Sequence, residues 1–222
     1  MTKKDYKFGI IVGFLIGLVA LPVFKIAKPG LYSKFGLAIF FFFLIGTPIG
    51  LIIAKYISRK IAVVWQVAKF AVIGVLNTLV DWGVLAILIF IFRKYLAINS
   101  EDLLILGLTF YSLYKAASFI VANVNSYFWN KYWTFSEGAV KKTKSEFLQF
   151  FVVSVIGFAI NVAIASYVFG FIKPLGQLNS DQWGIVGAAI GSVVGLAWNF
   201  IGYKFIVFKE RNEQTRQEIQ NN

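Results

Sequence analysis

The chain contains no cysteine and no histidine in 222 residues. The first absence leaves nothing to support disulfides or thiol chemistry. The second removes the commonest general base and the commonest metal ligand, so triad hydrolysis and metal-dependent reactions have no obvious residues to run on. No nucleotide-binding motif is present, and no cofactor or metal is expected. Acidic residues are also scarce, ten against 22 Lys plus Arg. Asp5, Glu101, Asp102, Glu137, Glu146, Asp181, Glu210, Glu213 and Glu218 lie in polar tails or connections. Asp81 alone interrupts a long apolar run, with Asn77 one helical turn before it. An ionised side chain at such depth costs several kcal/mol, so it normally faces a partner or a cavity and marks a functional path.

What the chain has in abundance is apolar surface: 59% hydrophobic and 18% aromatic residues, with a mean hydropathy of +0.74. Repeated apolar runs of about 20 residues are the signature of membrane-spanning helices. Six spans are expected, at about 8–26, 35–54, 67–92, 108–128, 147–171 and 184–207. Lys3, Lys4 and Lys7 precede the first as in a signal peptide, but the run is too long for one and lacks a small-residue cleavage site. Between the second and third spans, Lys55, Arg59 and Lys60 alternate with Tyr56, Ile57, Ile61, Val64 and Trp65. That alternation predicts a short amphipathic helix at the interface.

The formal net charge of +12 is explained by basic loops facing anionic lipid, without nucleic acid as a partner. Cations concentrate in the N-tail (Lys3, Lys4, Lys7), the second connection (Lys55, Arg59, Lys60, Lys69), the fourth (Lys131, Lys141, Lys142, Lys144) and the C-terminal region (Lys204, Lys209, Arg211, Arg216). They outnumber Lys25, Lys28, Lys34, Arg93, Lys94, Lys115 and Lys173 on the other side. The positive-inside rule therefore places both termini in the cytoplasm.

The last four spans divide into two related halves. Phe70 aligns with Phe150, and the same offset sets Asp81 over Asn161. The second span of each half ends alike, Ser126-Tyr-Phe-Trp-Asn-Lys-Tyr-Trp-Thr-Phe135 against Asn199-Phe-Ile-Gly-Tyr-Lys-Phe-Ile-Val-Phe208, with Lys131 over Lys204 and Phe135 over Phe208. Two spans per copy preserve direction, which predicts a parallel two-fold repeat of the kind that places a substrate path between halves. The expected fold is thus an all-α polytopic membrane protein. Residues 1–60 form an accessory hairpin, 61–210 a four-helix domain and 211–222 a polar cytoplasmic tail. Gly9, Gly13 and Gly17, and Gly187, Gly191 and Gly195, recur every four residues as helix-packing faces. The same faces permit homo-oligomers.

At about 1.5 Å per residue, Asp81 lies roughly 18 Å beyond Lys69, and Lys115 roughly 22 Å before Asn130. The two are candidate partners in an intramembrane ion pair, with Asn161 at the matching depth of the other half. Alternatively, Lys115 snorkels outward and Asp81 is satisfied by Asn77 and water. Nearer the cytoplasmic ends, Asn125, Asn130 and Asn199 are amides that suit sugar hydroxyls or phosphate. The flanking Lys131, Phe135, Lys204 and neighbouring aromatics have the composition of interface anchors.

Residues of about 66–208 resemble the GtrA-like family of small membrane proteins. The resemblance rests on Lys69-Phe70-x3-Gly74-x2-Asn77-x3-Asp81, on the segment from Ser126 to Phe135, and on Asn199-Phe200-x3-Lys204-x2-Val207-Phe208. It implies a non-enzymatic role in moving a polyprenyl-phosphate-linked sugar across the bacterial cytoplasmic membrane, for glycosylation of O-antigen, teichoic acid or arabinan. A membrane glycosyltransferase would be the partner that makes the lipid-linked donor. By the motif, Asp81, Asn130, Phe135 and Asn199 would inherit importance. The expected substrate contacts are Asn77, Asp81, Lys115, Asn125, Asn130, Lys131, Phe135, Asn161, Asn199 and Lys204. A second reading is a scaffold or activator for the glycosyltransferase. A third, a small multidrug-type exporter, lacks its usual membrane-embedded Glu.

Overall fold

The computed structural model describes residues 1–105, 107–136, 144–174, 176 and 180–208. Glu137, Lys141, Lys142, Lys209, Glu210, Arg211, Glu213, Arg216, Glu218 and the expected tail 211–222 lie outside the described residues. Helices dominate: α1 (Lys3–Ala27), α2 (Pro29–Ile57), α3 (Val63–Leu96), α4 (Phe110–Trp129), α5 (Lys144–Phe171) and α6 (Ser180–Gly202). Two π-helical segments, Asn130–Thr134 and Tyr203–Val207, continue α4 and α6. Among the described residues, five helices are long and apolar enough to cross a membrane: Lys3–Lys25, Pro29–Ile57, Val63–Leu96, Ser145–Phe171 and Val186–Val207.

The expected fourth span is the exception. As a helix of 20 residues, α4 is about 30 Å long, which matches a bilayer core. Ser112, Lys115, Ser118, Asn123, Asn125 and Ser126 make it too polar to qualify by composition. It packs along α3, and that neighbour satisfies part of its polar face. The interfacial helix expected around residues 55–65 is corrected as well. Its first residues finish α2, a turn follows, and Val63 already begins α3. The reason is that Trp65 belongs to the buried stripe of α3 rather than to a surface helix. Leu108, the first residue of the expected fourth span, instead lies in a small antiparallel hairpin. There β1 (Leu103–Ile105) pairs with β2 (Leu108–Thr109), and the turn uses Gly107 at φ +80.

The chain forms two compact units, Met1–Thr134 and Phe135–Asn222. In the first, α1 opens with a capping box. Thr2 Oγ1 accepts from the Asp5 N–H at 3.2 Å, and Asp5 Oδ2 accepts from the Thr2 N–H at 2.8 Å. These bonds satisfy backbone donors that a helix start leaves open. Pro29 begins α2 one residue after α1 ends, where its missing N–H costs nothing. Gly13 and Gly17 let α2 come close: a Cβ at Gly13 would stand 2.7 Å from the Phe43 carbonyl oxygen, and one at Gly17 2.9 Å from that of Phe40. The core is a stripe of Val12, Ile16 and Ala20 on α1, Leu51 on α2, Trp65, Ile73, Leu76 and Leu79 on α3, and Trp133. Outward faces are apolar too, with Phe41, Phe42, Ile45, Ile49, Ile52 and Ile53 exposed along α2, as a lipid-facing helix requires.

In the second unit, α5 and α6 close as a glycine zipper. Cβ atoms at Gly187, Gly191 and Gly195 would lie 3.0, 2.4 and 2.8 Å from the carbonyl oxygens of Ala165, Asn161 and Gly157. Each step of four on α6 meets a step of four back along α5, the register of an antiparallel small-residue interface. Indole donors bracket the zipper: Trp183 Nε1 donates to Val168 O at 3.1 Å and Ile172 O at 3.0 Å, and Trp198 Nε1 to Val153 O at 3.2 Å.

Candidate functional site

Asp81 and Lys115 meet. On α3 and α4 they form an ion pair, Lys115 Nζ to Asp81 Oδ2, with side chains 17% and 40% exposed. The other carboxylate oxygen, Oδ1, accepts from Ser118 Oγ at 2.6 Å. Ser118 lies one turn after Lys115 and also donates to its carbonyl at 3.0 Å, so the α4 face offers the carboxylate a cation and a hydroxyl at adjacent heights. The hydrogen bonds to the Asp81 carboxylate come from Lys115 and Ser118, and none from Asn77 appears among the described residues. Asn77 Oδ1 is buried without a hydrogen bond among the described residues. Ser118 was missed in the sequence, although its position three residues after Lys115 was the available signal.

Most of the amides are similarly underused. Asn125 Nδ2, Asn130 Oδ1 and Asn199 Oδ1 are buried atoms with no hydrogen-bond partner among the described residues. Asn130 is fully buried at the start of its π segment, where Nδ2 donates to the Ser126 carbonyl at 2.9 Å and to Ser126 Oγ at 3.2 Å. A buried polar atom left unpaired costs about 1–3 kcal/mol, and π segments are frequent at functional positions.

In the second unit, the Asn199 side chain fills the space over Gly157, where an added Cβ would stand 2.1 Å from its Oδ1. Asn161 Nδ2 reaches Ser192 Oγ at 3.4 Å. Phe135 is buried and stacks on Phe208, centroids 5.3 Å apart and planes at 23°. Lys204 is half-buried, its ammonium 5.8 Å from the Phe200 ring. Tyr203, the first residue of the second π segment, stacks on Phe150 at 4.1 Å, and its hydroxyl lies 2.6 Å from Ser154 Oγ. Tyr203→Phe keeps the stack and loses one buried hydrogen bond, so unfolding in detergent should show a loss of about 1 kcal/mol.

Three charges sit where the sequence did not place them. Lys69 and Lys131, read as basic loop and interface residues, are only 3% and 2% exposed. Lys69 falls in the buried stripe of α3, one turn from Trp65 and one from Ile73, and its ammonium donates to the Trp133 carbonyl at 2.9 Å. Lys131 Nζ donates to Tyr127 Oη at 2.8 Å. Asp5, read as part of a polar tail, is 7% exposed and accepts from Trp133 Nε1 at 3.2 Å. These charges are held inside because each has a polar partner, the usual condition for burial.

The model of the family described as GtrA/DPMS, transmembrane domain, matches residues 69–208. The chain belongs to this family. No curated protein and no solved structure matches the chain significantly. The GtrA/DPMS match begins at Lys69 and ends at Phe208, so it takes in the ion pair, every amide described above and both π segments. It leaves the α1–α2 hairpin outside. Membership and the apolar helices together make this a multi-pass membrane protein.

Proposed function

We propose that this GtrA/DPMS protein translocates a polyprenyl-phosphate-linked monosaccharide across the bacterial cytoplasmic membrane, to supply glycosylation of a cell-surface polysaccharide such as teichoic acid or O-antigen. It acts as a non-enzymatic carrier. The observation that carries the reading is the half-open Asp81–Lys115 pair inside the family domain. A fully buried pair would only hold helices together, whereas Lys115 is 40% exposed and can offer its charge to a passing phosphate. Asp81 then holds the ammonium in place between passages.

The amide atoms of Asn77, Asn125, Asn130 and Asn199 suit the hydroxyl-rich part of the cargo, since an amide offers donors and acceptors at one site. Headgroup loading falls to Lys204 at the cytoplasmic end, because its side chain is only half-buried whereas Lys131 is 2% exposed. A partner glycosyltransferase makes the lipid-linked donor on the inner face, and a second transferase uses it outside. Both termini lie on the cytoplasmic side in this reading. We take α3–α4 and α5–α6, each with its π segment, as copies of one hairpin. Supporting this, the π segments Asn130–Thr134 and Tyr203–Val207 fall at the offset that sets Lys131 over Lys204. Likewise, Asp81 meets Ser118 while its counterpart Asn161 meets Gly191, at that same offset from Ser118. Asn161 is the neutral counterpart of Asp81 in the second copy.

Binding tests the proposal most simply. Purified protein should be stabilised by a polyprenyl-phosphate monosaccharide and not by the uncharged polyprenol of the same length. At a ligand concentration 100-fold above Kd the gain is about 2.7 kcal/mol, readable as a thermal shift. Equal shifts with both lipids would remove the headgroup from the account.

A further inference from the structure

The α1–α2 hairpin lies outside the family match, yet it puts a carboxylate against the family's own Trp133. Asp5 Oδ1 accepts from the Trp133 indole N–H at 3.2 Å. The backbone carbonyl of the same tryptophan accepts from Lys69 Nζ at 2.9 Å, and the Lys69 charge acts on the Asp5 carboxylate. Trp133 is thus gripped at both ends, its side chain by α1 and its main chain by α3. Phe8, one turn after Asp5, adds edge-on contacts to the rings of Trp129 and Trp133 at 5.6 and 6.0 Å.

Trp133 is the fourth residue of the five-residue π segment Asn130–Thr134. A π turn widens the helix and leaves backbone groups without their usual partners, so it persists only where its surroundings hold it. Here a carbonyl of that segment accepts from a lysine ammonium. The grip involves a carboxylate, an indole and an ammonium that are all at most 7% exposed, and hydrogen bonds to charged groups are the stronger kind.

We propose that Asp5 is a positioning residue: through Trp133 it fixes the π segment that carries Asn130 and Lys131, making the N-terminal hairpin a working part of the family domain rather than an appendage. The inference stands apart from the transport reading, because it concerns which element holds the segment and can be read without any cargo.

The absence of cysteine gives a clean probe. Thr134, 1% exposed and with a hydroxyl that lacks a hydrogen-bond partner among the described residues, tolerates Thr134→Cys. In that background the labelling rate of the single thiol by a water-soluble maleimide reports opening of the segment. Asp5→Ala and Trp133→Phe should each raise the rate about fivefold or more, as expected for losing a contact of about 1 kcal/mol. The double variant should label no faster than the faster single one. Asp5→Asn, which can still accept from the indole, should fall between. Thr2→Ala weakens the α1 cap and removes one hydrogen bond to Asp5 Oδ2 but leaves the bond from the indole to Oδ1, and should label far more slowly than Asp5→Ala.

Unchanged rates in Asp5→Ala and Trp133→Phe overturn the proposal. So does a Thr2→Ala increase equal to that of Asp5→Ala, which would reduce Asp5 to a helix cap. If Asp5→Ala does not yield folded protein, Trp133→Phe, which keeps an aromatic ring in place, replaces it: a rate equal to the parent's, or no higher than that of Thr2→Ala, overturns the proposal.

Discussion

Asp81→Ala is expected to lower translocation at least tenfold and to destabilise the folded protein by about 2 kcal/mol. The stability loss follows from what the substitution leaves behind. Lys115 loses its counter-ion, and the Ser118 hydroxyl keeps only the carbonyl of Lys115. An exposed pair contributes at most about 1 kcal/mol, and stranding one fully buried charge costs about 3–5 kcal/mol. Side-chain exposures of 17% and 40% put this pair between the limits. Asp81→Asn can still accept from Ser118 and should lose less stability than the alanine variant. It should transport as poorly as that variant, because the charge that retains Lys115 is gone. Lys115→Ala strands the more buried member and should cost more than Asp81→Ala. In the double variant neither charge is stranded, so the two losses should fall short of additivity by about 1–2 kcal/mol. Denaturation of all four proteins in the same detergent measures this directly. Strict additivity would mean that the pair does not couple α3 to α4.

The second large effect is steric. Gly191→Ala should destabilise the second unit by about 2–3 kcal/mol, seen as a fall in Tm of roughly 5–10 °C. The new methyl would stand 2.4 Å from the carbonyl oxygen of Asn161. That atom is backbone and cannot rotate away, so α5 and α6 must separate and neighbouring contacts at Gly187 and Gly195 loosen with them. Gly46 and Gly50 on α2 provide the contrast, since a Cβ at either meets nothing within 4 Å. Gly46→Ala and Gly50→Ala should be neutral or stabilising by up to about 1 kcal/mol, the usual helix-propensity gain. Similar losses at all three positions would show that packing does not distinguish them.

Much of this was legible in the sequence, and the reasons are specific. Long apolar runs report helices because a membrane leaves few alternatives for the backbone. Glycines every fourth residue report close packing because nothing larger fits between two helix axes. The Asp81–Lys115 pairing came from rise per residue alone, since both sit in regular helices with countable depth. Composition misled where a residue's neighbours come from elsewhere in the chain. Lys69 and Lys131 look like loop cations until α3 and the π segment are seen to bury them. Asp5 looks like tail, although Thr2-x-x-Asp5 before an apolar run is a capping pattern that could have placed it at a helix start. Its contact with Trp133 spans nearly the whole first unit, and no local pattern encodes that. The π segments were equally hidden, because an i→i+5 turn has no composition of its own. The fourth span is less apolar than the others for the opposite reason: α4 is long enough for a bilayer core, while Lys115 and Ser118 on it serve Asp81 within the protein.

Transbilayer movement of the cargo is the most direct test of the account. Purified protein would be reconstituted into liposomes carrying a polyprenyl-phosphate monosaccharide, and the fraction of headgroup reaching the opposite leaflet followed over time, beside Asp81→Ala and protein-free vesicles. The account predicts rapid redistribution with the parent protein and near-background movement with Asp81→Ala. Background movement with the parent, while a co-reconstituted polyprenyl-phosphate glycosyltransferase gains activity from its presence, would contradict it and make the chain a scaffold for that enzyme.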